Sequence, residues 1–159
     1  MLRVSKLTDY AVVVLLRLSA APDTCVAMQT SPGIAAATGV PEPTVAKVLK
    51  ALTTAGLVAS QRGARGGYRL LCPLEDIAIS DGIAALDGPI ARTACVDGAP
   101  SPCEVQGLCA VKGRWDLVND AIRFALGHIT LAEMREASVP PVFRLGPAVA
   151  AHAPMPLAE

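Results

Sequence analysis

Three cysteines stand close together in the second half of the chain, Cys95, Cys103 and Cys109, spaced Cys-x7-Cys-x5-Cys. Thiolates are soft ligands that select zinc or iron–sulfur clusters. Structural zinc favours a tight pair of cysteines a few residues apart, and this segment has no such knuckle. Wide gaps in a Gly- and Pro-rich segment let three sulfurs converge on a larger object, which suits a cubane or rhombic cluster. Three donors are one ligand short. His128 comes nineteen residues after Cys109, His152 lies near the C-terminus, and Lys112 cannot ligate while protonated. A fourth ligand must come from Asp9, Cys25, Cys72, a small molecule or another subunit. Cys25 and Cys72 stand alone, and a lone free cysteine most often acts as a small buried hydrophobe. The total of five is odd, which argues against a disulfide framework.

The remaining composition narrows the setting of that chemistry. The chain has 159 residues, 52% hydrophobic, 18% charged and 3% aromatic, a length suited to one compact domain with or without an appendage. The longest apolar run, Ala11 to Leu16, stops at Arg17 and falls far short of a membrane span. Met1-Leu2-Arg3-Val4-Ser5-Lys6 leads into an amphipathic segment and not into the apolar stretch of a signal peptide. A soluble, cytoplasmic protein is the expectation. A net charge of zero conceals an asymmetry: residues 1–70 carry eight Lys and Arg against three acids, and the remainder carries six against eleven. A basic first half beside an acidic second half points to an anionic partner for the first half alone.

The elements of the first half fit such a partner. Leu7, Tyr10, Ala11, Val14, Leu15 and Leu18 recur at helical spacing, and the helix ends at Ala20-Ala21-Pro22-Asp23. Ser31-Pro32 reads as an N-cap followed by proline at the first helical position, opening a short helix that Gly39 stops. A second helix spans about Glu42 to Ala55, with Val45, Val48, Leu49 and Leu52 on one face and Gly56 as its stop. Ala35 is small where the two helices approach, Gly39 gives the turn its backbone freedom, and Val40 and Val45 lock the angle. This is a helix-turn-helix pattern. Leu57 to Gln61 then reads as a strand, Arg62-Gly63-Ala64-Arg65-Gly66-Gly67 as a turn, and Tyr68 to Leu71 as the return strand. A hairpin in that place makes a winged helix, and arginines at its tip suit a narrow minor groove. A phosphate-binding glycine loop is set aside, because neither Gly-Lys-Ser/Thr nor a helix follows.

Beyond the wing, residues 76–86 read as a strand-like lead and then a helix from about Ser80. Residues 88–112 contain six Gly or Pro and read as loop. From Gly113 the pattern is helical again, and Trp115, Val118, Ile122, Ala125 and Ile129 form the 3-4 spaced seam of a helix pair. From Ala137 the chain is rich in Ala and Pro without periodicity, the composition of a disordered tail. The expected architecture is mainly α with a small β-hairpin wing, a winged helix-turn-helix plus a long C-terminal dimerisation helix. The expected division is 1–72 for DNA binding, 73–134 for the cluster-binding loop and dimerisation helix, and 135–159 for the tail.

These features together resemble the Rrf-type winged-helix transcriptional regulators, the family of the IscR-like and NsrR-like proteins. The resemblance covers about residues 1–134. It rests on Leu7-Thr8-Asp9-Tyr10-Ala11, Ile34-Ala35 through Gly39-Val40-Pro41, Leu52 with Ala55-Gly56-Leu57-Val58, Arg62 through Leu70, and the three loop cysteines. Within the family the chain is most similar to regulators of the SUF iron–sulfur assembly system, through Leu7 to Tyr10, Pro43 to Leu52 and Ala84 to Ile90. The resemblance implies a homodimer on a partly palindromic DNA operator, and an iron–sulfur cluster, [2Fe-2S] or [4Fe-4S], held by Cys95, Cys103 and Cys109. IscR-like members carry a histidine three residues after the last cysteine, where this chain has Lys112. NsrR-like members use an aspartate of the first helix, donated across the dimer, and Asp9 matches that position.

The helix from Glu42 should enter the major groove, with Thr44, Lys47 and Lys50 on its non-apolar face and Arg62 and Arg65 in the wing. The expected function is a cluster-sensing repressor of SUF-type assembly genes. Alternatives are a nitric-oxide or redox sensor at the same site, or a zinc-stabilised interaction module. An enzyme is not expected, since no nucleophile–base pair stands in a plausible setting.

Overall fold

The computed structural model describes residues 4–20, 28–63, 66–90, 109–111 and 114–136. Cys25, Arg65, Cys95, Cys103, Lys112 and the tail from 137 lie outside these residues. Helix α1 spans Lys6–Ser19 and is capped by Ser5, whose hydroxyl accepts from the Thr8 amide at 3.2 Å. Its stripe Ala11, Val14, Leu15 and Leu18 is buried as the periodicity demands, while Leu7 and Tyr10 only half enter the core. Thr8, a polar residue, is buried in their place.

Helix α2 (Ser31–Thr38) begins one residue earlier than the Ser-Pro pair suggests. Thr30 is the cap, its hydroxyl accepting from the Gly33 amide at 3.2 Å, and Ser31 falls inside the helix. Gly39 closes α2 in the left-handed region at φ +73°, with its N–H on the Ala35 carbonyl. Helix α3 (Glu42–Thr54) follows and buries Val45, Val48, Leu49 and Leu52 against the α1 stripe and Ile34.

Strands β1 (Val58–Gln61) and β2 (Gly67–Leu70) pair antiparallel, with Val58 opposite Leu70 and Gln61 opposite Gly67. Gln29 adds a short bridge on the outer edge, exchanging both backbone hydrogen bonds with Tyr68 at 2.8 and 2.9 Å. Its side-chain amide donates to the Arg17 and Leu18 carbonyls, so one residue ties the wing to the C-terminal end of α1. Gly67 is needed there, because a Cβ would lie 2.7 Å from the Gln29 carbonyl oxygen.

A 3-10 turn at Leu74–Asp76 leads to α4 (Ile79–Asp87). The expected strand-like lead is a bridge of one residue, Ala78 with Thr130. A single long C-terminal helix is not observed among the described residues. The periodic stretch from Trp115 forms the 13-residue α5 (Trp115–Gly127), and a separate short helix, α6 (Leu131–Glu136), follows it. The break has a local and a distant cause. Thr130 and Glu133 cap α6 reciprocally, and the Ile79 amide and Ile77 carbonyl bond the backbone at Ile129 and Leu131, both at 2.9 Å. Leu74, Ile77, Leu131 and Ala132 join the same core as α1 and α3.

Candidate nucleic-acid interface and thiol site

The outward face of α3 is built by exclusion. With Val45, Val48, Leu49 and Leu52 committed to the core, Glu42, Pro43, Ala46, Lys47, Lys50 and Thr54 are left exposed. Lys47 and Lys50 are thus where the sequence places them, whereas Thr44 is half-buried and Pro43 beside it faces solvent. Pro43 and Ala46 escape a reading that looks for polar base contacts. Their signal was the phase of the helix alone. Lys47, Lys50 and Thr54 face Ala84 and Ala85 of α4 across an open cleft of about 570 Å³. Arg62 is exposed at the end of β1 and enters the turn at Gly63. Three of the described candidate DNA contacts are exposed cations, two on the helix and one on the wing. Lysine neutralises phosphate and donates to guanine, and arginine suits the minor groove.

Of the proposed cluster ligands, Asp9 and Cys109 are among the described residues. Asp9 is exposed in the first turn of α1 and lines a groove of about 640 Å³ with an apolar floor that includes Val12, Ile83, Leu126 and Met134. Cys109 is a half-buried free thiol just ahead of α5. At 1.5 Å rise per residue, α5 carries the chain roughly 16 Å between Trp115 and Leu126. Asp9 is beside the C-terminal end of that helix and Cys109 precedes its N-terminal end. Among the described residues no three His, Cys, Asp or Glu side chains converge.

Cys72 is a poor donor. It packs half-buried against the core after β2, and burial, reinforced by Asp76 and Asp81, pushes its thiol above the ordinary range. A thiol that holds its proton is neither a good nucleophile nor a ready metal ligand. His128 is also occupied, with Nδ1 2.7 Å from the Phe124 carbonyl and its ring against the Phe124 ring.

The surface of α5 completes the picture. Leu117 is 77% exposed and Phe124 68%, with Trp115, Val118 and Ile129 exposed beside them. The only residue of α5 that is buried is Asn119. The stripe expected to form a seam is therefore open in the single chain. No helix among the described residues is long and apolar enough to cross a membrane.

Comparison with known proteins places the chain. Residues 4–137 match the Rrf2 family model, described as an iron-dependent transcriptional regulator. The Mycobacterium tuberculosis protein Rv1287, named as an HTH-type transcriptional regulator, is 30% identical over 139 residues, 87% of this chain and 84% of that protein. IscR of Vibrio atlanticus is 40% identical over 83 residues, 52% of this chain and 47% of that protein. Among solved structures, CymR, the global cysteine regulator of B. subtilis, superposes with a TM-score of 0.64 at 26% identity, covering 87% of this chain and all of that one. IscR of T. potens gives 0.60 at 29% identity, covering 87% and 89%. The chain belongs to the Rrf2 family of transcriptional regulators, DNA-binding proteins and not enzymes.

Proposed function

We propose that this protein is a cytoplasmic homodimer that senses an iron–sulfur cluster and represses SUF-type iron–sulfur assembly genes. The observation that carries the reading is the Cys95, Cys103 and Cys109 trio placed between a winged head and an open apolar helix. Residues 1–72 read DNA, 73–134 hold the cluster and the dimer seam, and 135–159 form a tail. Thr44, Lys47 and Lys50 face the major groove and Arg62 and Arg65 the minor groove.

The donor chemistry fits a cluster: three thiols, one described as free and half-exposed, plus an exposed carboxylate. Asp9 is read as the fourth ligand, donated across the dimer, because it matches the first-helix aspartate of the NsrR-like regulators this chain resembles. When bound, the cluster supplies a centre whose oxidation or loss is the signal. The chain's own part is to hold four ligands from two subunits and so fix the relative placement of the two α3 helices. Its loss then shifts the dimer between states of different operator affinity.

Anaerobic purification with iron and sulfide analysis, on wild type and Asp9→Ala, tests the reading. Iron and sulfide in wild type, weakened in the variant, together with a change in operator affinity on cluster removal at matched salt, are expected. Equal affinity with and without cluster sinks the sensor, and zinc without sulfide favours the zinc-stabilised module. A second reading keeps the DNA binding and changes the signal to a sulfur metabolite or to a redox or nitric-oxide input. The likeness to CymR, named as a cysteine regulator, supports that option. A sulfur-metabolite input predicts a response in protein that never carries iron, whereas a nitric-oxide or redox input at the cluster predicts a response in loaded protein alone.

A further inference from the structure

The buried hydroxyl of Thr8 has an unusual partner. It is 1% exposed and donates at 2.8 Å to Oδ2 of Asp87, seventy-nine residues away in sequence. The same oxygen accepts from the Ser5 amide at 3.3 Å, and the Ser5 hydroxyl lies 3.1 Å from that of Thr8. Asp87 is the last residue of α4, an end where the helix dipole disfavours a carboxylate. At the N-terminus of α1 the sign is reversed, so the carboxylate stabilises that end of α1. Gly88 follows at φ +79° and Ile90 is buried, after which the chain runs on to Cys95, five residues later. On the other side of the contact, Thr8 is the neighbour of Asp9.

Two routes therefore meet at one hydrogen bond. Asp87 precedes Cys95 by eight residues in the chain, and the candidate carboxylate ligand stands beside Thr8. From there α1 runs through a close-packed interior to the recognition helix, since Ala11, Val14, Leu15 and Leu18 share one core with Val45, Val48, Leu49 and Leu52, all at most 1% exposed. Interiors packed this densely pass on small displacements without absorbing them.

We infer that the Thr8–Asp87 hydrogen bond is the latch that couples the state of the thiol segment to the DNA-reading helix, Thr8 and Asp87 acting as positioning residues and not as ligands. The inference rests on the cluster-sensing reading above. A ligand that pulls on the thiol segment or on Asp9 loads this contact, and its making or breaking moves the N-terminal turn of α1.

The test compares wild type with Thr8→Val, Thr8→Ser and Asp87→Ala in the full-length protein. Three quantities are measured: iron and sulfide content, operator Kd with and without cluster at one salt concentration, and amide exchange of residues 4–20 and 42–54 in both states. In wild type, cluster removal should change Kd by a factor within about 5–150 and alter exchange in both segments. Thr8→Val and Asp87→Ala should keep their iron while that factor falls towards one and the exchange difference over 42–54 disappears. Thr8→Ser, which retains the hydroxyl, should behave as wild type. An unchanged factor in the loaded Thr8→Val and Asp87→Ala proteins overturns the latch and leaves the sensor standing, as does a Thr8→Ser variant that fails like Thr8→Val. If Thr8→Val does not fold, Asp87→Ala and Thr8→Ser decide alone. Wild type that takes up no cluster, or binds DNA equally in both states, overturns the sensor and the latch together.

Discussion

Cys72 and Gly39 show how single residues constrain the molecule from opposite causes. The Cys72 thiol is raised by burial and by the nearby Asp76 and Asp81, so the folded state prefers it protonated. Below the ordinary thiol range both folded and unfolded chains hold the proton, and no stability is lost. As pH rises through that range the unfolded chain releases its proton first, and the contribution of Cys72 is lost by the time the folded thiol titrates. Alkylation of Cys72, followed by peptide mass mapping from neutral to alkaline pH, should lag in native protein relative to urea-unfolded chain. Equal rates throughout would show the thiol to be ordinary. Gly39 is constrained by backbone alone, with φ at +73° and open space where a Cβ would stand, no atom lying within 4 Å of that point. Gly39→Ala should therefore cost about 1–2 kcal/mol without any clash, read from urea midpoints at unchanged slope. The need for Gly39 is legible in the sequence because a turn between two helical patterns demands it. The burial of Thr8 is not, because its partner comes from α4.

At the scale of elements, phase decides what each helix offers. The outward face of α3 and the exposed Arg62 predict that Lys47→Ala, Lys50→Ala and Arg62→Ala each flatten the salt dependence of operator binding by roughly one unit where the side chain meets a phosphate. A lysine that reads guanine should instead relax preference at one base pair, so titrations over several salt concentrations and operator variants separate the two roles. Helices α1 and α3 and the hairpin were readable because their apolar spacing agrees with their burial. The division between α5 and α6 was not. The 3-4 spacing continues through Ile129, while the break is imposed by Ala78, a residue far away in sequence that pairs with Thr130. The cap of α2 was misplaced by one residue for a smaller reason: Thr30 and Ser31 are adjacent hydroxyls, and backbone geometry alone chooses between them. Of the candidate site, residue types and the order of donors could be read, but the groove that Asp9 shares with Ile83, Leu126 and Met134 needed the fold.

For the whole molecule, the open face of α5 is the governing feature. Leu117 and Phe124 are the most exposed large apolar side chains among the described residues, and they share one helix with Trp115 and Val118. Leu117→Glu with Phe124→Glu should leave the winged head folded by circular dichroism while converting the species seen in sedimentation from dimer to monomer. A double variant that still sediments as a dimer would move the seam elsewhere. The open strip also bears on how the regulator is maintained in a cell. The proposed dimer would cover that strip by pairing, so by mass action its melting temperature should rise with its own concentration. At low abundance the single chain exposes that strip to proteases and to other sticky surfaces. Clearance of newly made chains should then fall gradually as their concentration passes the dimer Kd, whatever the state of the thiols.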